Sequence, residues 1–238
     1  MVVVVAAEWD PMSFKLKLGD QLIPFKPIGH DPVSRLGFIN VRGTVIPKRN
    51  AWIANVGAHS SADLQYSGPG GLQQCRTAGW VKVVSGKVLP ISLLHVDFNG
   101  EVPPPGTPLT DGAGRVVGIM FQDSGIEKIG YAIPAEAVHR VQKDICNGGH
   151  LIRGWLGLAL RAELATPKIC RVIQDSPAAA AGIKPGDLLM SIGTRQISNY
   201  ADAANAFFYL IPGEPVRVKL QRGDDQLELT LTPTLRNG

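Results

Sequence analysis

Histidine, serine and aspartate are the residues of this sequence whose neighbourhoods suggest chemistry. His59 is followed by Ser60 and Ser61, His95 lies two residues before Asp97, and His30 precedes Asp31. Acyl transfer needs a hydroxyl nucleophile, an imidazole that takes its proton, and a carboxylate that orients the imidazole. All three types are present, but no spacing draws them into one set. Alternation along a strand places His95 and Asp97 on one face. A metal shared with His30 or Asp31 is one reading of that face, and a hydrogen-bonded surface histidine is the default. No metal and no cofactor is therefore expected. Cys75, Cys146 and Cys170 stand far apart with no CxxC pair, so they read as buried thiols with at most one disulfide.

The elements that must position such residues are mainly β. Only 18% of the 238 residues are Asp, Glu, Lys or Arg, and 27 glycines and 18 prolines break the chain into short segments. The net charge of +4 is spread out, with no Lys/Arg run, so nucleic acid is not an expected partner. No apolar run is long enough to span a membrane. Met1-Val5 is too short for a signal core and lacks a basic leader, so it reads as a buried strand, and any export signal lies upstream.

Before residue 145 the apolar stretches Val2-Ala7, Phe14-Leu18, Leu36-Val41, Ala51-Val56, Trp80-Val84, Pro90-Val96 and Arg115-Phe121 read as strands of an antiparallel barrel or sandwich. A helix follows from Pro134 to Cys146, stopped by Asn147-Gly148-Gly149, and that stop marks a boundary. Two domains are expected, 1–149 and 150–238. The second carries a late helix from about Asn199 to Leu210, closed by Pro212-Gly213.

Ser176-Pro177-Ala178-Ala179-Ala180-Ala181-Gly182-Ile183-Lys184-Pro185-Gly186-Asp187 is the most specific stretch. It resembles the bacterial PDZ signature, an alanine-rich helix leading through a Lys-Pro-Gly-Asp turn into a strand, here Leu188-Ile192. The resemblance implies a groove for the C-terminal end of another polypeptide. Trp155-Leu156-Gly157-Leu158 takes the place of the carboxylate-binding loop, whose backbone N–H groups form a nest. Leu158 to Arg161 is then the strand that pairs with the peptide. Tyr200, Ala204 and Phe207 form the helical wall at i, i+4 and i+7. Leu156, Leu158, Leu160 and Phe207 make the apolar pocket. Tyr200 stands where many PDZ domains have a histidine, which suggests an apolar tail.

The front half resembles HtrA-type trypsin-like proteases. His30-Asp31-Pro32-Val33-Ser34-Arg35-Leu36-Gly37-Phe38 looks like that family's Asp-Pro-x-x-Asp-Leu-Ala-Val segment. Val96-Asp97 through Pro108-Leu109 aligns without a gap to the segment around its nucleophile. Gly114-Ile119, Gly130-Pro134 and Ile152-Gly154 extend the match. A chymotrypsin-like barrel is implied, its first barrel incomplete and the chain shortened at its N-terminus.

At the matched positions Pro105 replaces the nucleophile and Arg35 the carboxylate, and no histidine precedes His30. The oxyanion positions are Pro103 and Pro105, which lack an N–H. Pro103-Pro104-Pro105 is expected to be extended polyproline. The resulting expectation is a pseudo-protease, not an enzyme, that binds protein or peptide C-termini as adaptor, scaffold or regulatory subunit. The alternative is an active trypsin-like serine endopeptidase of the HtrA family. The resemblance also implies an extracytoplasmic location and assembly as a homo-oligomer or with HtrA-type paralogues.

Overall fold

The computed structural model describes residues 1–18, 20–41, 62–84, 86–161 and 166–235. Two compact units are present: Met1–Val81 with Ser92–Leu151, and Lys82–Ile91 with Ile152–Gly238.

In the first unit a three-stranded sheet is ordered β1 (Val2–Val5), β5 (Leu36–Val41), β4 (Phe25–Asp31), all antiparallel. β2 (Leu16–Leu18) and β3 (Gln21–Ile23) form a separate hairpin. The remaining strands are β6 (Asp63–Gly68), β7 (Gly71–Val84), β8 (Lys87–Phe98), β9 (Pro108–Thr110), β10 (Val116–Asp123) and β11 (Ile129–Pro134). They close a barrel in the order β10-β11-β8-β7-β6-β9. Closure removes the exposed edges that open antiparallel sheets must protect. Its interior holds Leu64, Tyr66, Leu94, Val96, Leu109 and Met120, each at most 2% exposed. Cys75 is buried with them, and burial pushes its thiol up to about 12.

The barrel leads into α1 (Ala135–Gly148), which turns aside at Gly149. Gly149 has φ 76°, and its N–H donates to the Ile145 carbonyl at 2.9 Å, the left-handed stop that glycine permits. Cys146 and Cys170 are exposed free thiols, so the expectation that all three cysteines are buried holds only for Cys75.

The second unit contains β12 (Leu158–Leu160) paired with β13 (Ile169–Val172), and the short α2 (Pro177–Ala180). A four-stranded sheet follows, ordered β15 (Arg195–Gln196), β14 (Leu188–Ile192), β16 (Val216–Arg222), β17 (Asp225–Leu231), with α3 (Tyr200–Phe208) between β15 and β16 in the chain. Its core is separate, built on Leu156, Ile169, Leu189, Ala203, Val218 and Leu220. The main division falls at Leu151/Ile152. Lys82–Ile91, the tip of the β7–β8 hairpin, groups with the second unit, which the sequence boundary at 149/150 did not anticipate.

Candidate functional site

α2 and the loop before β12 are built around one another. Ser176 caps α2 by accepting the Ala179 N–H, and Pro177 opens the helix with the φ its ring already imposes. The Ser176 hydroxyl donates to the Ile173 carbonyl at 2.6 Å. Gly157 lies against it with φ 81°, and a Cβ there would sit 2.1 Å from the Ser176 Cβ. Only glycine allows both that backbone conformation and that approach.

The loop carbonyls are engaged. Leu156 accepts from the Ala178 N–H at 2.9 Å, and Gly157 accepts from the Ile173 N–H at 2.8 Å. Trp155 exchanges hydrogen bonds with Thr234 at 2.8 and 3.0 Å. Among the described residues, the N–H groups of Leu156 and Gly157 have no acceptor. A loop that ties down its carbonyls and leaves adjacent amides unengaged suits an anion.

β12 pairs only with β13 among the described residues, so its other edge can accept a strand. α3 starts at Asn199, whose side chain accepts the Asp202 N–H at 2.9 Å. Tyr200, Ala204 and Phe207 are half-buried, while Ala203 and Ala206 face the core. Leu158, Leu160 and Phe207 rest partly buried on that core. Leu156 is 2% exposed and belongs to the core cluster itself. Ser176 is the residue the sequence reading missed. Its Ser-Pro cap pattern was the available signal.

In the first unit, the run of prolines ends in a turn at Pro105 and Gly106. The Thr107 N–H donates to the Pro104 carbonyl at 3.2 Å, and Gly106 has φ 90°. That is a tight turn with Pro105 and Gly106 at its centre, the sequence pair a type II turn favours, and not extended polyproline. The Gly106 N–H is taken up by the Met120 carbonyl at 2.8 Å. Arg35 has φ 57°, and its guanidinium lies 4.8 Å from the Phe121 ring centroid. Asp31, 4% exposed, accepts the Ser34 N–H at 2.9 Å.

Among the described residues, His30 and His95 do not join one cluster. His30 stacks on Trp9 at 5.0 Å, its Nε2 3.2 Å from the Ala6 carbonyl. His95 Nε2 lies 3.5 Å from Asp97 Oδ1, longer than a well-formed hydrogen bond. No cluster of three metal-ligating side chains occurs among the described residues. His59, Ser60, Ser61 and the Ala51-Val56 stretch lie outside them.

Comparison with known proteins follows this division. Residues 154–232 match the PDZ domain family. The chain is 27% identical over 258 residues to a probable periplasmic serine endoprotease, DegP-like, of Ectopseudomonas mendocina, covering 96% of this chain and 52% of that protein. A protein of the same name from Chlamydia trachomatis is 26% identical, covering 88% and 46%. The HtrA-type protease AlgW, solved with a tripeptide, superposes with a TM-score of 0.64 at 22% identity over 92% of this chain and 79% of that one. The chain is HtrA-like and carries a PDZ domain.

The HtrA-like chain spans about half the length of the curated relatives it matches. Those relatives correct the expectation that it is not an enzyme, because they are named serine endoproteases and point to one. The expectation rested on Pro105, Pro103 and Arg35 at the matched positions and on the absence of a histidine before His30. The structure keeps the barrel and the tight turn at Pro105, and the His59-Ser60-Ser61 stretch lies outside the described residues. Among the described residues no helix is long and apolar enough to cross a membrane.

Proposed function

We propose that this HtrA-like chain serves serine endoproteolysis outside the cytoplasm, its PDZ groove capturing the free C-terminal end of a polypeptide. The observation that carries the reading is the unengaged amide pair of Leu156 and Gly157 at the head of the open β12 edge, with Tyr200, Ala204 and Phe207 left half-buried on α3. The terminal carboxylate takes the two amides, the main chain adds a strand to β12, and the last side chain settles on Leu158, Leu160 and Phe207. AlgW, which shares the fold, was solved with a decapeptide as well as a tripeptide. The names of the curated relatives support both the endopeptidase activity and the periplasmic setting. The working assembly is a homo-oligomer or a complex with HtrA-type paralogues, read by size exclusion alone and in mixture.

Pro105 has no hydroxyl, so the reacting group in this chain is another side chain, with Ser60 and Ser61 the first to inspect. The test is incubation with a fluorophosphonate probe and unfolded casein, with and without a C-terminal decapeptide, followed by peptide mapping. Labelling of one serine together with casein cleavage supports the reading and locates the nucleophile. Absence of both, with the decapeptide bound, overturns the endopeptidase half and leaves the groove standing.

A further inference from the structure

Resting on the groove reading above, we propose that the site selects tails bearing acidic side chains at the penultimate and fourth-from-last positions, read by Arg171 and Arg161. A carboxylate held by the Leu156 and Gly157 amides fixes the register of an added antiparallel strand. The last ligand residue then lies opposite Leu158, the penultimate opposite Ala159, the third opposite Leu160 and the fourth opposite Arg161. Residues directly opposite in an antiparallel pair share a face. Leu158 and Leu160 rest on the core, so Ala159 and its ligand partner point outward.

On that outward face Arg171 of β13 is the direct partner of Ala159. Arg171 is exposed, and among the described residues it has no carboxylate partner. An added strand lies two strand spacings, about 10 Å, from β13. Ala159, between them, raises only a methyl group, so the Arg171 arm passes over it toward the penultimate side chain. Arg161, exposed at the end of β12, meets the fourth side chain directly. A register shift between Ala159 and Leu160 leaves Cys170 as the extra residue of a bulge, its thiol donating to the Ala159 carbonyl at 3.2 Å. The bulge preserves the Arg171–Ala159 pairing while Ile169 still turns inward.

The charge along this stretch is mostly of one sign. Between residues 150 and 174 the sequence carries Arg153, Arg161, Lys168 and Arg171 against a single acid, Glu163. On the helical wall, Asp202 is buried and already holds Lys82 at 2.5 Å. The β side of the groove therefore offers an excess of basic over acidic residues to whatever strand pairs with it.

The experiment uses the full chain and fluorescein-labelled decapeptides with one apolar last residue and serine elsewhere. Glu, Gln or Lys occupies both outward positions, and an amidated form of the Glu peptide is the control. Anisotropy is read at 50 and 500 mM NaCl. An exposed ion pair changes affinity by a factor of about five at most. The Glu peptide should bind about tenfold more tightly than the Lys peptide at low salt, with the gap closing at high salt. Arg161→Glu with Arg171→Glu should invert the order, and the milder Arg171→Gln should remove only the penultimate share. Equal affinity of all three free-tail peptides, with the amidated form not binding, overturns the charge selection and leaves the groove intact. An unchanged acidic preference in the double variant overturns it as well. Equal binding of amidated and free tails is the separate failure of the groove reading itself.

Discussion

At the scale of single residues the proposed groove depends most on Gly157. Its φ of 81° lies in the left-handed region, and a Cβ would fall within 2.4 Å of both Cβ and Oγ of Ser176. Gly157→Ala therefore strains the backbone by about 1–2 kcal/mol and also pushes against the side chain that caps α2. The loop must open, moving the amides of Leu156 and Gly157 off the carboxylate position. Expected is a loss of tail binding of more than tenfold, read by peptide anisotropy, with the far-ultraviolet circular dichroism of a folded chain. Binding within twofold of the parent would show that the carboxylate does not sit on this loop. The sequence made Gly157 legible because the PDZ signature fixes its place. It does not disclose the burial of Leu156, since a leucine beside a loop has the same letter whether it lines a groove or fills the core beneath it. Pro103-Pro104-Pro105 misled for a different reason. A proline run suggests extension, but the glycine at 106 supplies the positive φ that bends Pro104–Thr107 into a turn.

Between elements, Asp187 clamps the turn after α2 to β16. It is 1% exposed, accepts the Lys184 N–H at 2.9 Å, and takes Arg222 Nε and Nη2 at 2.7 and 2.8 Å. Arg222 Nη2 also donates to the Gly182 carbonyl at 2.9 Å. The hydrogen-bonded Arg222 guanidinium, with the Lys184 amide, holds the Asp187 carboxyl below the usual carboxylate range against the opposing effect of burial. A depressed folded value means the unfolded chain binds the proton more readily. The clamp's stabilisation is thus fully present above the unfolded value of about 3.9, and it drains away as pH falls through the folded value. Urea midpoints of the second unit between pH 6 and 2 should drop on the acid side, and Asp187→Asn should give a lower but flatter curve there. Identical acid limbs would show that Asp187 does not carry the pH dependence. Elements of this unit were readable because their signals are local: the alanine run of α2, the Asn199 cap of α3, and the apolar run of β14. β7 was read only at Trp80–Val84, although it begins at Gly71. Its inward positions there include Thr77, a polar residue that hides the alternation, and Cys75 is buried only because the barrel closes around it.

For the whole molecule, the barrel cluster and the PDZ cluster are decisive. Tyr66, Leu94 and Met120 fill the barrel, and Leu156, Leu189 and Val218 fill the PDZ unit. Chains with separate cores commonly leave two-state behaviour, so one melting temperature does not describe them. Scanning calorimetry should resolve two transitions. A tail peptide that binds only the folded PDZ unit adds RT ln(1 + [L]/Kd) to that unit alone, about 2.7 kcal/mol at a hundredfold excess over Kd. For a domain of this size each kcal/mol moves the midpoint by roughly 4–8 °C. Saturating peptide should therefore raise one transition by roughly 10 °C or more and leave the other within a degree, while Gly157→Ala abolishes the shift. Lys82–Ile91 comes from the barrel's longest hairpin yet groups with the PDZ unit, where Lys82 holds the buried Asp202. If that tip is an energetic part of the PDZ unit, Lys82→Met lowers the peptide-sensitive transition and not the barrel's. A single transition moved as a whole by peptide would instead mean that the two cores melt as one cooperative body, with tail capture stabilising the barrel as much as the groove.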